Sequence, residues 1–147
     1  MRLWDTSAVL SLLLRQNATE ELTAIFHADG SMVLWWGAKV EAVSAVSRLL
    51  RSSEIVEGVA SRLLAQVDAL TSAAYEVQPT EEVRVAACRI LRVHELRAAD
   101  ALQLGAALVW AGYRPSGMGF VCLDRRLRDA AAKEGFDVSP APDGSLD

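Results

Sequence analysis

The chain lacks the residues that usually announce a cross-linked or zinc-held protein. Of 147 residues only two are cysteine and two histidine. Cys88 and Cys122 stand far apart with no second Cys or His at ligand spacing, which argues against a disulfide framework and a zinc site. Both lie in apolar stretches, Ala86-Ala87-Cys88 and Phe120-Val121-Cys122-Leu123, and are expected to be small buried hydrophobes in a reducing cytoplasm. Aromatics make up only 6% of a chain that is 52% apolar, so the core must be built from Ala, Val and Leu. A basic excess is missing as well. Nineteen acids against 15 bases give a formal charge of -4, which excludes a histone-like nucleic-acid binder but leaves room for a local basic patch. Long apolar runs are absent: the longest charge-free stretch begins at Ala101 and ends before Arg114, short of the ~20 residues of a membrane span. Asp5, and the lack of a small-residue cleavage site after Leu14, argue against a secretion signal. A cytoplasmic protein without membrane attachment is expected. No repeat or Pro/Gly-rich linker divides the chain, so one domain is expected over residues 1–147, with 140–147 as a flexible tail.

What is present is an alternation of strands and helices. Arg2 to Asp5 reads as a strand, followed by a helix through Leu14 that Thr6 or Ser7 can cap. Asn17 with Glu20 resembles a capping box opening a helix through His27. Met32 to Trp36 reads as a buried strand, and Val40, Val43, Val46 and Leu50 then recur at helical spacing. A long helix is expected from Ser53, with Ile55, Val59, Leu63, Val67 and Leu70 as its stripe; this face suits the core, a dimer or a partner groove. Tyr75 to Gln78 is a short strand or turn. Thr80 starts a helix carrying Val83, Ala87, Ile90 and Leu91, and another runs from Ala98 to Ala111. Gly119 to Leu123 is a strand, Asp124 or Arg125 opens a helix to Lys133, and Phe136 to Ser139 is a last strand. The pattern predicts an α/β fold with a parallel sheet covered on both faces.

Most of the acids fall on helix faces or first turns, where solvated carboxylates are ordinary. Four differ. Asp5 and Asp124 terminate strands, while Glu41 and Asp100 occupy the first turns of apolar helices, so a parallel sheet would carry all four to one edge. Singly, Asp5 and Asp124 can be N-caps, Asp100 can serve its helix dipole and Glu41 can be solvated. Together they would repel by roughly 3 kcal/mol per pair at ~5 Å and an effective dielectric of ~20. Such a cluster takes up protons or holds cations, and all-oxygen ligation suits Mg²⁺ or Mn²⁺. Metal-assisted phosphodiester hydrolysis is the chemistry most consistent with it.

The motifs Asp5-Thr6-Ser7-Ala8, Val40-Glu41, the run from Leu96 to Ala107 and Val121-Cys122-Leu123-Asp124-Arg125-Arg126-Leu127 resemble, in order and spacing, the PIN-domain nucleases. They are most similar to the VapC-type toxins of bacterial toxin–antitoxin pairs. The resemblance covers almost the whole chain. It implies a three-layer PIN-like fold with a short, mostly parallel sheet. It further implies a Mg²⁺- or Mn²⁺-dependent endoribonuclease that cuts tRNA or ribosomal RNA, is silenced by a cognate VapB-type antitoxin, and is a homodimer. By position Asp5, Glu41, Asp100 and Asp124 form the acidic quartet. Asp5 and Asp100 would be principal metal ligands, Glu41 a ligand or orienter of the attacking water, and Asp124 a ligand of a second metal or a supporting group. Ser7 matches the small hydroxyl that supports the first aspartate. The family commonly has Thr or Ser two residues before its last acid, and here that residue is Cys122, a poor donor.

Among the 15 bases only Lys39 and Lys133 are lysines, and arginine binds phosphate bidentately. Arg97, Arg125 and Arg126 adjoin the acidic edge and are candidate RNA-backbone contacts. Of Trp35 and Trp36, one belongs in the core and the other can stack on a base or meet a protein partner. His94 continues the stripe of Val83, Ala87 and Ile90, which favours packing at a helix end over catalysis; His27 has no partner pattern. Two other classes compete with this reading. A non-catalytic PIN-like RNA- or protein-binding module would keep the fold without cutting. A phosphoryl-transfer domain of the haloacid-phosphatase or receiver type fails, because the first needs Asp where Ser7 stands and the second needs an adjacent acidic pair.

Overall fold

The computed structural model describes residues 1–15 and 18–141. Five strands, β1 (Arg2–Trp4), β2 (Met32–Trp35), β3 (Tyr75–Val77), β4 (Gly119–Val121) and β5 (Asp137–Ser139), form one sheet in the order β3-β2-β1-β4-β5. Every pairing is parallel, with Leu3 opposite Val33 on one side and Phe120 on the other. The expected mostly parallel sheet is therefore wholly parallel. Seven helices connect the strands: α1 (Thr6–Leu14), α2 (Thr19–Asp29), α3 (Ala38–Arg51), α4 (Glu57–Ala73), α5 (Glu81–Val93), α6 (Ala98–Trp110) and α7 (Arg125–Glu134).

Strand alternation divides the core into two layers of side chains. Leu3, Val33, Trp35 and Phe120 face α5, α6 and α7. Trp4, Met32, Leu34 and Val121 face the opposite side, where Ala8, Val9 and Leu22 of α1 and α2 cover them. Strands buried on both faces read as the continuous apolar runs seen in the sequence. A third, smaller cluster of Val46, Ala60 and Leu63 joins α3 to α4, with Leu10, Leu13 and Leu14 of α1 packed against it. Where α6 crosses α5, a Cβ on Gly105 would stand 3.0 Å from the Ala87 nitrogen, so glycine permits the close approach.

The chain leaves β1 towards β2 and β3, then returns across the sheet to β4 and β5. Connections from the adjacent strands β1 and β4 thus depart in opposite directions, and ligand crevices of open α/β sheets lie at such a switch point. Asp5 directly follows β1, and its N–H donates to the Val121 carbonyl at 3.0 Å. Asp124 follows β4 and precedes α7.

Several local expectations change. Asp5, rather than Thr6 or Ser7, caps α1, accepting from the Ala8 N–H at 3.1 Å, because both hydroxyls are engaged elsewhere. The helix expected from Ser53 begins at Glu57, since Ser53 has a left-handed φ of 58° and ends the preceding turn. On α3 the buried residues are Ala38, Ala42 and Val46, while Val40 and Val43 are exposed: small side chains let the helix lie close. Leu91 is exposed beside the buried Ile90. Cys88 is exposed on α5, whereas Cys122 is fully buried as expected. Pro140, placed in a tail by the sequence, is buried, and its carbonyl accepts from Arg128 Nη2 at 2.5 Å. Asn17, the expected cap of α2, and residues 142–147 of the expected tail lie outside the described residues. Among the described residues no helix is long and apolar enough to cross a membrane.

Candidate functional site

Asp5, Glu41, Asp100 and Asp124 line a single cavity of about 480 Å³, together with Thr6, Ser7, Ser44, Arg48 and Gln103. Asp5 directly follows β1; Asp124 caps α7, β4 ending at Val121 rather than at the expected Leu123; and the first turns of α3 and α6 supply Glu41 and Asp100. The sheet-edge convergence drawn from the sequence is therefore present in the fold. The four are differently held. Asp5 is 4% exposed, and the Ser7 hydroxyl lies 2.8 Å from both its carboxylate oxygens. The Leu123 N–H donates to Ser7 Oγ at 3.3 Å, tying the end of β4 to the same group. Glu41 Oε2 accepts from the Thr6 hydroxyl at 3.1 Å and from Gln103 Nε2 at 3.4 Å. Asp124 is exposed and caps α7 by accepting from the Leu127 N–H at 2.9 Å.

The electrostatics follow from this placement. Burial pushes the Asp5 carboxyl up to about 6, against the opposing pull of the Ala8 N–H and Ser7. Burial also raises Glu41, with the Asp100 charge adding to it while Gln103 and Thr6 counter it. Asp100 is raised by burial and then by Asp124, with Arg97 opposing. Metal-free, the cavity disfavours the charge that its own residues carry.

The acids share a cavity without forming a tight cluster: among the described residues, no three Asp, Glu, His or Cys side chains are grouped closely enough to hold an ion. The physical reason is that Asp5, Glu41 and Asp124 are each tethered by their own partners while like charges keep apart. The donor set nonetheless fits a hard divalent cation. It is all oxygen and partly buried, and Asp5, Glu41 and Asp100 are raised by burial, the latter two also by a neighbouring carboxylate, which a cation would relieve.

Arg97, Arg126, Asp100 and Asp124 line an adjoining depression, so two of the three arginines singled out in the sequence reach the acidic edge. Arg125 is exposed and lines neither hollow. Trp35 is core and Trp36 is 48% exposed, its ring edge-on to Trp35. His94 ends α5 with Nε2 2.7 Å from Glu134 Oε1, in keeping with a packing role. Cys122 Sγ donates to the Asp124 carbonyl at 3.5 Å; burial first, and then the Asp5 charge, hold its thiol far above the ordinary range. The sequence reading missed Gln103, Thr6 and Arg48. The signal was available: Gln103 lies one turn after Asp100 in an apolar helix, and Arg48 lies two turns after Glu41 on the same face.

No protein-family model matches the chain, and no curated protein matches it. Among solved structures, the chain is similar to the crystal structure of FitAcB from Neisseria gonorrhoeae, with a TM-score of 0.61 and 18% identity over 94% of this chain and 96% of that one. It is also similar to the structure of FitAB bound to an IR36 DNA fragment, with a TM-score of 0.62 and 19% identity over 94% and 93% of the two chains. The fold is PIN-like. The likeness spans nearly the full length of the chains compared.

Proposed function

We propose that the chain is a Mg²⁺- or Mn²⁺-dependent endoribonuclease, the toxin of a VapC-type pair, hydrolysing phosphodiester bonds in tRNA or ribosomal RNA. The observation that carries this reading is the meeting of four carboxylates in one cavity at the switch point of a PIN-like sheet. Asp5, Asp100 and Glu41 would hold the ion, with Asp124 as ligand or support. When bound, the ion supplies charge stabilisation at the phosphate and makes water a competent nucleophile near neutral pH. Glu41, anchored by one oxygen, would offer the other to the ion or to the attacking water. Ser7 keeps both oxygens of Asp5 in register. Arg97 and Arg126 beside the acids, and Arg48 within the cavity, bind the RNA phosphates on either side of the cleaved bond. A VapB-type antitoxin and a homodimer complete the reading; that the similar structures are named FitAcB and FitAB supports a protein partner.

A second reading, a PIN-like module that binds RNA or protein without cutting, is favoured by the spread of the four acids. One experiment separates them. Total RNA is incubated with the purified chain in Mg²⁺, Mn²⁺ or EDTA, and the new ends are mapped. Metal-dependent cuts at defined positions are expected. Asp5→Asn and Asp100→Asn should each lose more than ~100-fold in rate while remaining folded, since even the outer partners of metal ligands contribute about 10–100-fold. A variant retaining wild-type cleavage refutes the site, and no metal-dependent cut in any RNA leaves the binding module.

A further inference from the structure

Two of the four acids are placed by the helices they cap, and Glu41 is not one of them. Asp5 and Asp124 cap α1 and α7 through backbone N–H groups, and Asp100 is short. Glu41 sits in the first turn of α3 and caps nothing, on a side chain with three free torsions. Its restraint comes from two other elements. The Thr6 hydroxyl of α1 donates to Glu41 Oε2 at 3.1 Å, and Gln103 Nε2 of α6 donates to Thr6 Oγ1 at 2.9 Å while lying 3.4 Å from the same Glu41 oxygen. Both donors converge on Oε2, and among the described residues Oε1 accepts no hydrogen bond.

Gln103 does not earn its place by stability. It is 1% exposed in an apolar helix, and its own Oε1 is buried without a partner. An unpartnered buried amide oxygen costs about 1–3 kcal/mol, a cost that Met or Leu would not carry. A buried orphan in a native fold calls for a reason, and among the described residues its amide hydrogen-bonds only to Thr6 and Glu41. We infer that Gln103, acting with Thr6, is a positioning residue that turns Glu41 Oε2 inward and presents Oε1 to the cavity. The inference rests on the metal-site reading for what the presented oxygen does, namely share in holding a divalent cation. Ligating carboxylates are commonly oriented by such outer hydrogen bonds.

Two measurements on the full chain test it. In metal-free protein, the Gln103 side-chain amide should show slowed exchange by ¹⁵N-resolved NMR, lost in Thr6→Val and in Glu41→Leu. In Mn²⁺ titrations followed by water-proton relaxation, Gln103→Met and Thr6→Val should each weaken binding by about 10-fold or more. Thr6→Ser should stay within about 3-fold of wild type, and the double variant should be no weaker than either single one, because both act through one oxygen. The thermal midpoint of Gln103→Met should equal or exceed that of wild type. Should that variant fail to fold, the Thr6→Val and Thr6→Ser pair carries the same comparison. Equal Mn²⁺ binding by all variants overturns the positioning role and leaves the metal site standing. No Mn²⁺ binding by wild type removes the metal site, and the NMR result then decides alone: an unprotected Gln103 amide overturns the inference, and protection lost on Thr6→Val supports it.

Discussion

Asp5 is buried at the end of β1, and burial moves its carboxyl from 3.8 to about 6. Between those two values the folded state keeps a proton that the unfolded chain has already released. Its contribution is therefore fully present below pH 3.8 and is lost as pH rises through about 6. At about 1.4 kcal/mol per pH unit the loss amounts to roughly 3 kcal/mol at pH 7, a sizeable share of the stability of a small domain. Asn copies the protonated form: it caps a helix as well as Asp does and can still accept from Ala8 and Ser7. Asp5→Asn should therefore match wild type near pH 4 and exceed it by about 3 kcal/mol at pH 7 in EDTA, or about 6–12 °C in thermal midpoint for a chain of this size. Divalent cation should close most of that gap. At about 100 times its dissociation constant a ligand stabilises by ~2.7 kcal/mol, nearly the whole gap, and only wild type receives it. Urea unfolding from pH 4 to 8, in EDTA and in Mn²⁺, reads all of this. A gap independent of pH, or a wild type that is the more stable in EDTA at pH 7, would refute the reasoning.

Three further outcomes follow from other contacts. Gly105→Ala would press a methyl against backbone atoms of α5 at 3.0–3.3 Å, forcing the two helices apart at a cost of about 1–3 kcal/mol, measurable by urea unfolding. Burial raises the Glu134 carboxyl, but Arg89 and His94 together outweigh it and hold the group below its ordinary value, so its contribution is present above that ordinary value and fades as pH falls. Glu134→Gln should thus lose about 1–2 kcal/mol at pH 7 and little at pH 3, which thermal melts at the two pH values would check. Arg48→Ala should weaken RNA binding by about 10-fold, measured on the cleavage-deficient Asp100→Asn background, with Arg48→Lys restoring only part because it lacks the bidentate fork. Unchanged affinity would remove Arg48 from the substrate path.

The strands were legible because β1, β2 and β4 are buried on both faces and appear as unbroken apolar runs. The gathering of the acids was legible for a related reason: in a parallel sheet, strand ends and the starts of the following helices share an edge. What periodicity could not show is how near a helix lies. On α3 the valines at helical spacing were expected inside, yet Ala38 and Ala42 face inward and Val40 is 65% exposed. Nor could it show which hydroxyl is already engaged. Thr6 and Ser7 are good caps by type, but Thr6 serves Glu41 and Ser7 serves Asp5, which leaves the cap to Asp5 itself. The spacing of the four acids depends on those same tethers, so the sequence brings them to one cavity without fixing the distances between them.

The distribution of ion pairs sharpens the meaning of the acidic composition. Elsewhere several acids have cationic partners: Asp29 has Arg2, Asp68 has Lys39, Glu81 has Arg84, and Glu134 has Arg89. Among the described residues none of the four cavity acids has one within ion-pair distance, although Arg48, Arg97 and Arg126 stand at the same hollows. Uncompensated negative charge is thus concentrated at the switch point, and positive charge beside it is left unspent. A site built only for stability would close those pairs. Left open, the carboxylates suit a cation and the arginines suit phosphate, and one divalent ion in the cavity would halve the formal charge of -4. An overall acidic chain and an RNA substrate are compatible on these terms, because the charge that opposes RNA sits where the metal would neutralise it.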